Sequence, residues 1–490
     1  MAEVYLYMFD APSLETGSRS DGVLRLSEEE MRKLGYQVVD VLIEHFENLP
    51  NKPVTRRADR STLDEELRKP PPVEGSDPED VLREVQREIL SSMMHVDHPR
   101  FFAFIPSPSN FVSVMADALA AGFNVFSGTW LEGSGPTEIE LVTIDWLRQI
   151  CGLPDTTGGL FVSGGSMANL TALAIARETK LKNRIPGAIV YCSDQTHSSI
   201  DRGLRVLGFR PNQIRKIPSD KDFRLEMSRL RRAVIADRAT GRDPFCVVAN
   251  VGTTNSGAVD PLPALADFCS EEGLWLHADG AYGAAAMLCD EKRSLLEGLE
   301  RVDSLILDPH KWLFQPHEMG CVLVRDGKRL RQTFRMVREY TRDVERSEEE
   351  VNLQDCGIQM TRGFRALKLW MSLRVFGLEA FREGIARGIA LAELAETALR
   401  DLPRWEIVTP AQLGILTFRY GETGWSAAET DALNLRLVEE MIEDGFAMVS
   451  STMLKGRTVL RMCINNPRTT EADVRETVRL LDHYGNKLSL

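Results

Sequence analysis

The sequence predicts an α/β protein: a mostly parallel sheet covered by helices on both faces, preceded by a helical N-terminal arm and followed by a smaller α+β domain. Three observations predict it. From about residue 159, short β-rich runs alternate with helical patterns. Residues 25–105 carry amphipathic stretches but no core of their own. Beyond about 377, a long helical pattern is followed by interleaved β-like and helical runs. At roughly 100–200 residues per domain, 490 residues suffice for two to four domains with a large central core. With 59 Lys+Arg against 72 Asp+Glu the net charge is −13, which argues against nucleic acid or an anionic membrane surface as a partner.

Residues 1–24 are rich in Ser, Gly and Asp and read as a mobile leader. At Ser27-Glu28-Glu29-Glu30 a capping box opens a helix whose apolar stripe includes Met31, Leu34, Val38, Leu42 and Phe46. The Pro-rich, charged stretch 50–77 is expected to run extended, and a second helix is expected from Pro78-Glu79-Asp80. An arm of this kind, spanning 25–105, is expected to pack on a second copy of the chain. The eight cysteines are scattered without a C-x-x-C pair, several of them in apolar strand-like runs, so neither a disulfide framework nor a metal site is expected. No basic segment leads into an apolar one at the N-terminus, and no run approaches ~18 apolar residues. A cytoplasmic protein is the expectation.

The large domain is expected over 106–376, with strands at Leu160-Phe161-Val162, Ala188-Ile189-Val190-Tyr191, Phe245-Cys246-Val247-Val248, Leu274-Trp275-Leu276 and Ser304-Leu305-Ile306-Leu307, and with helices over 167–182 and 223–238. The small domain, 377–490, reads as a helix from Leu378 to Leu399, a β-run at Gly414–Phe418, a helix over 426–444, a β-run at Val459–Cys463 and a final helix. In parallel sheets ligands sit beyond the carboxyl ends of the strands, so the residues just past each run are the candidates for a site.

Ser163-Gly164-Gly165-Ser166 comes after the first run and opens a helix, where unpaired N–H groups and the helix dipole favour a phosphate. On its own this is a common strand-to-helix turn, and the absence of G-x-x-x-x-G-K-[ST] and G-x-G-x-x-G disfavours a nucleoside triphosphate or a dinucleotide. Lys311 lies within Asp308-Pro309-His310-Lys311-Trp312-Leu313-Phe314; burial among such neighbours disfavours the charge of an amine and makes it a nucleophile toward carbonyls. A lone lysine is more often a snorkelling surface group, but here it shares a sheet with a phosphate turn and with Asp279, a carboxylate just past an apolar run. A buried carboxylate is costly without a cation, and a protonated pyridine nitrogen would be one; a helix cap is the plainer alternative. His197, in Ser193-Asp194-Gln195-Thr196-His197, suits stacking on a flat ring, and His277 reads as structural.

These residues resemble the group II pyridoxal-phosphate-dependent amino-acid decarboxylases, the family of aromatic-L-amino-acid decarboxylase. The likeness rests on Asp308–Trp312, His277-Ala278-Asp279-Gly280-Ala281-Tyr282 and Ser193–His197. It extends to His98-Pro99-Arg100-Phe101-Phe102-Ala103-Phe104, Thr137-Glu138-Ile139-Glu140 and Gly363-Phe364-Arg365-Ala366-Leu367-Lys368, with the motifs in order from about residue 25 to the C-terminus. The resemblance implies the aspartate-aminotransferase-like fold type I, with a seven-stranded large domain, and an obligate homodimer with the active site at its interface. It implies pyridoxal 5′-phosphate held by Lys311 as a Schiff base, by Asp279 at the ring nitrogen, by Ala281 and His197 against the ring, and by Gly164, Gly165 and Ser166 at the phosphate. His310 and Thr253 would line the site, and Phe104, Ile105, Phe126 and His317 would form the substrate pocket. The reaction implied is decarboxylation of an L-amino acid to the amine and CO2, with aromatic substrates (Phe, Tyr, Trp, DOPA) ahead of acidic ones.

Three departures bear on the outcome. In animal aromatic decarboxylases a loop tyrosine is credited with returning the proton to Cα. An ungapped count back from Phe364-Arg365 lands here on Leu353, and Tyr340, further upstream, serves only if the loop is laid out differently. Family members without that tyrosine react with oxygen and yield an aldehyde, ammonia and peroxide, so an aldehyde synthase is the alternative. Asp308 stands where animal enzymes carry asparagine, and its carboxylate would repel a phosphate unless bridged or protonated. In the pocket, Val96 stands where a tryptophan is expected, and Gly128 and His317 where phenylalanines are expected. A non-catalytic scaffold is a third reading, which an intact Lys311, Asp279 and His197 disfavour.

Overall fold

The computed structural model describes residues 24–55, 58–182, 184–336 and 350–489. The expected leader lies outside the described residues except for Leu24. The chain divides into two compact units, one of residues up to Lys52 together with 57–93, the other of 53–56 and everything from Met94 onward.

In the first unit a helix spans Glu28–Asn48 behind the expected capping box: Ser27 Oγ accepts from Glu30 N–H at 3.2 Å, and the Glu30 carboxylate accepts from Ser27 N–H at 2.8 Å. None of its residues is buried; Met31 is 52% exposed and Tyr36 64%. The stretch expected to run extended contains a helix, Arg60–Leu67, because Asp59 caps it by accepting from Ser61 N–H. The helix expected at Pro78 runs to Glu84 under the cap of Asp77 and continues through a wider turn, Val85–Ile89.

The second unit carries two sheets. Strands β1 (Gly158–Val162), β2 (Ala188–Ser193), β3 (Ile214–Ile217), β4 (Asp243–Asn250), β5 (Trp275–Asp279), β6 (Ser304–Leu307) and β7 (Gly320–Val324) form the large one, in the order β1-β7-β6-β5-β4-β2-β3. Only β7 runs against the rest. This is the expected fold, an α/β sheet of seven strands. The runs read from the sequence are β1, β2, β4, β5 and β6. Strand β3, Ile-Arg-Lys-Ile, escapes a hydrophobic reading because it is an edge strand with charged side chains, and β7 because a short apolar run does not declare its direction.

Along the strands burial alternates between two cores: Phe161, Val247, Ala249 and Leu305 face one, and Leu160, Cys246, Val248 and Ile306 the other. Helices Met227–Ala239 and Leu262–Glu272 pack on the first face, Gly165–Leu181 and Ser198–Val206 on the second. Both faces are covered, as a parallel sheet requires. Strands β8 (Trp405–Gln412), β9 (Ile415–Tyr420), β10 (Ser450–Leu454) and β11 (Arg457–Cys463) form an antiparallel sheet in the order β10-β11-β9-β8. Helices Ala427–Asp444 and Glu471–Leu488 and the later part of Ala366–Arg400 pack against it. That long helix is broken at Gly377, whose φ of 75° is accessible to glycine and costly for other residues. All eight cysteines are buried and free, and among the described residues no helix is long and apolar enough to cross a membrane.

Strand β1 is an edge, and its outward backbone groups at Phe161 are closed by an ion pair. Glu140, on the helix Trp130–Ile150, accepts from Phe161 N–H at 2.9 Å and from Arg362 Nη2 at 2.5 Å, while Arg362 donates to the Phe161 carbonyl at 3.0 Å. Both side chains are essentially inaccessible. Removing one partner strands a buried charge; Glu140→Ala is therefore expected to lower the unfolding free energy by about 3–5 kcal/mol, read from urea unfolding monitored by circular dichroism.

Candidate active site

The carboxyl ends of β1, β2, β4, β5 and β6 open into one cavity of about 290 Å³. At the end of β1 the chain turns through Ser163-Gly164 into the helix Gly165–Leu181, whose first N–H groups have no partner within the helix. The turn is tight: a Cβ on Gly165 would lie 2.6 Å from Asp308 Oδ2, and one on Gly320 would lie 2.6 Å from Gly164 Cα. The floor of this nest is the segment after β6. Asp308 is buried, with Oδ2 3.0 Å from Lys311 Nζ and with Oδ1 lacking a hydrogen-bond partner among the described residues. His310 Nδ1 lies 2.7 Å from the Met319 carbonyl, and burial pushes this imidazole down to about 4, so it is neutral near pH 7.

Lys311 does not sit in the apolar setting that its sequence neighbours suggest. Trp312 turns into the core and stacks on Tyr282 with ring centres 4.5 Å apart, while the amine reaches the cavity and pairs with Asp308. Asp279, at the end of β5, is buried; Oδ2 accepts from Asn169 Nδ2 at 3.0 Å and Oδ1 from Ala281 N–H at 3.3 Å. His197 caps the helix Ser198–Val206, its Nδ1 accepting from Ser199 N–H at 3.2 Å, and burial lowers its pKa against the opposing pull of Asp279. Thr253 also borders the cavity, but its hydroxyl is committed to a turn with Ser256 (2.8 Å) and Ala258 N–H (3.1 Å).

Lys311, Asp279, Ala281, His197, Gly164, Gly165, Ser166, Thr253 and His310 thus border one space. Phe104, Ile105 and Phe126 are not among the residues lining it in the single chain: Phe104 is 60% exposed, and Phe126 folds its ring over Gly128. His317 leans on His310, with ring centres 4.7 Å apart. Tyr340 lies outside the described residues. Leu353 begins a short 3-10 helix with its side chain buried, so the ungapped count lands on a core position. The sequence reading missed Asn169, Ser199, Asn250 and Glu318 as cavity residues. Asn169 did leave a signal, as an amide one helical turn beyond Ser166 in the mostly apolar stretch Met167 to Leu173.

An anion nest, an amine and a buried carboxylate around one cavity fit a phosphorylated pyridine aldehyde, and the absence of a Cβ at residue 165 lets the nest close over Asp308. Residues 62–421 match the family model of the pyridoxal-dependent decarboxylase conserved domain. The chain belongs to this family. It is 50% identical over 469 residues to an aromatic-L-amino-acid decarboxylase of Bacillus atrophaeus, covering 95% of this chain and 98% of that one. Its fold superposes on the Oryza sativa TDC structure with PLP and tryptamine at a TM-score of 0.90 and 32% identity, covering 95% of this chain and all of that one. A Rhodiola rosea 4-hydroxyphenylacetaldehyde synthase structure aligns at a TM-score of 0.88 and 29% identity, over 94% of this chain and 99% of that one. The decarboxylase is thus a carboxy-lyase acting on an amino acid with pyridoxal phosphate as cofactor.

The tight nest makes Gly165 sensitive to added bulk. Gly165→Ala is expected to weaken pyridoxal phosphate binding roughly tenfold or more, in line with an overpacking cost of about 1–3 kcal/mol, with unchanged circular dichroism; titration of cofactor-free protein monitored by visible absorption checks it. For pH, the buried imidazoles of His277 and His310 stand near 4 against 6.5 when unfolded, so each takes up a proton on unfolding between those values. Asp260, raised by burial from 3.8 to about 6, releases one and opposes them. For these three groups the net uptake is one proton, worth about 1.4 kcal/mol per pH unit. His197 and His317, lowered by burial, act in the same direction and Asp303, raised by burial, against it. The cofactor-free protein is therefore expected to lose stability as pH drops from 6.5 toward 4, seen as a falling melting temperature.

Proposed function

We propose that this chain decarboxylates aromatic L-amino acids to their amines, as a cytoplasmic homodimer. The observation that carries the reading is the meeting of Lys311, Asp279 and His197 with the Gly164–Ser166 nest around one cavity. When bound, pyridoxal phosphate supplies an aldehyde that condenses with amines and a pyridinium ring that accepts the electron pair left by a departing carboxylate. Lys311 would hold the aldehyde carbon of the cofactor, and Asp308, 3.0 Å from its Nζ, would keep the amine in place. Asp279 keeps a proton on the ring nitrogen. The backbone at Gly164, Gly165 and Ser166 binds the phosphate, Ala281 and His197 bracket the ring, and His310 and Thr253 complete the wall. Tyr340 would return a proton to Cα, provided the loop that carries it is laid out to reach the site.

The aromatic preference draws on the 50% identity to a relative with that name. The dimer draws on the uncovered apolar residues of the helix Glu28–Asn48 and on the exposure of Phe104. In the dimer Phe104, Ile105 and Phe126 come to the substrate side chain, with His317 beside the site. The arm over 25–105, the cofactor domain over 106–376 and the small domain over 377–490 are the corresponding divisions, the last beginning at the Gly377 break. An aldehyde outcome is the second reading, because the position counted for the proton-donating tyrosine is a buried leucine.

Mass spectrometry of products after incubation in air with L-Phe, L-Tyr, L-Trp, L-DOPA, L-Glu and L-Asp tests these readings. Amines are expected from the aromatic substrates and none from the acidic ones, with Lys311→Ala reduced to background. Aldehyde with peroxide from the unaltered protein would establish the second reading; the same products from Tyr340→Phe alone would assign the proton to Tyr340.

A further inference from the structure

Behind the cavity wall runs a chain of buried polar side chains that ends on Asp279 and whose other members, Trp275, Ser304, His277 and Asn169, have no role in the reaction described above. Trp275 Nε1 donates to Ser304 Oγ at 2.9 Å, and Ser304 Oγ lies 2.9 Å from His277 Nδ1. His277 Nε2 lies 2.8 Å from Asn169 Oδ1, and Asn169 Nδ2 donates to Asp279 Oδ2 at 3.0 Å. Ser304, His277 and Asn169 are each at most 1% exposed.

Both ends of this chain are one-way groups. An indole N–H only donates and a carboxylate only accepts, so every proton between them has a determined place. The amide must turn its NH2 toward Asp279, which turns Oδ1 toward His277 and requires the proton on His277 Nε2. His277 Nδ1 then accepts from the Ser304 hydroxyl, whose own oxygen is occupied by the indole N–H. Burial pushes His277 down to about 4, so it is the neutral imidazole that this order of donors demands.

The second amide proton of Asn169 goes to Ser199 Oγ at 2.9 Å, and that hydroxyl lies 2.8 Å from His197 Nδ1. A flipped amide would set an oxygen against the Asp279 carboxylate, and could keep Ser199 only by taking the hydroxyl proton that otherwise goes to His197 Nδ1. We propose that Asn169 is a positioning residue that holds Asp279, and through Ser199 also His197, in place against the cofactor, and that neutral His277 sets which way its amide faces. This rests on the proposed function, in which Asp279 meets the ring nitrogen. An aspartate at 169 would place a second acceptor against Asp279, and a shorter side chain would not reach both partners.

The test uses the cofactor-loaded protein with ¹⁵N in the pyridine ring, reading the ring-nitrogen resonance by NMR and the pyridoxal phosphate dissociation constant by titration. The wild type is expected to show a protonated ring nitrogen. Asn169→Ala and His277→Phe are expected to move that resonance toward the unprotonated position and to weaken binding roughly tenfold or more, the scale seen when supporting partners of site ligands are removed. His277→Gln, which keeps an N–H donor in place of Nε2–H, is expected to stay within about threefold of wild type. The two His277 variants keep the test independent of whether Asn169→Ala folds. A ring nitrogen that stays protonated in His277→Phe, or equal losses in His277→Phe and His277→Gln, would overturn the proposal. An unprotonated nitrogen in the wild type would overturn the reading of Asp279 first, and this one with it.

Discussion

A parallel strand can donate a side chain to a shared site only at one end, and here six strands of the large sheet run the same way. Their carboxyl ends therefore face one side, and residues at or just past the ends of five of them enter one volume: the Gly164 nest after β1, His197 beyond β2, Asn250 closing β4, Asp279 closing β5 and Lys311 after β6. The exception, β7, serves the same end. Running back between β1 and β6, it brings Gly320 against Gly164 and closes the floor of the nest by backbone contact. The arrangement needs β1 held firmly as an edge, which the Glu140–Arg362 clamp on Phe161 provides.

The electrostatics of the cavity are set by what burial permits. His277 and His310 are held neutral, so neither competes with Lys311 for the carboxylates. Asp308 pairs with the amine and Asp279 is satisfied by Asn169 and a backbone N–H, which places the two acids in separate tasks. A protein with a net charge of −13 thus gathers an anion nest, one amine and two buried acids with distinct partners in a small space, with the exposed Glu318 at its border. Oδ1 of Asp308 is buried and has no hydrogen-bond partner among the described residues.

Short continuous apolar runs and their helical companions made β1, β2, β4, β5 and β6 legible, because a strand buried on both faces is apolar along its whole length. Strands β3, β8 and β10 were not, since edge strands carry charge or polarity that looks like loop, as in Ile214-Arg215-Lys216-Ile217. The helix Arg60–Leu67 was hidden by its proline-rich surroundings, although Asp59 marks its start. Glu140 entered only as part of a motif; its work, closing the edge of β1 with a residue more than two hundred positions away, has no local signature.

By itself the sequence determined the class of fold, the strand-end residues and the family to which their order belongs, because these depend on local apolar periodicity and on which residue comes after each strand. Only the tertiary structure decided what each group touches. It gave Lys311 an aspartate in place of an apolar pocket, turned Trp312 into the core, tied Thr253 into a turn and buried Leu353. It also joined Asn169 to Asp279, His277 and Ser199 through one amide. Hydrogen-bond partners and burial are set by contacts between distant segments, which periodicity along the chain does not encode.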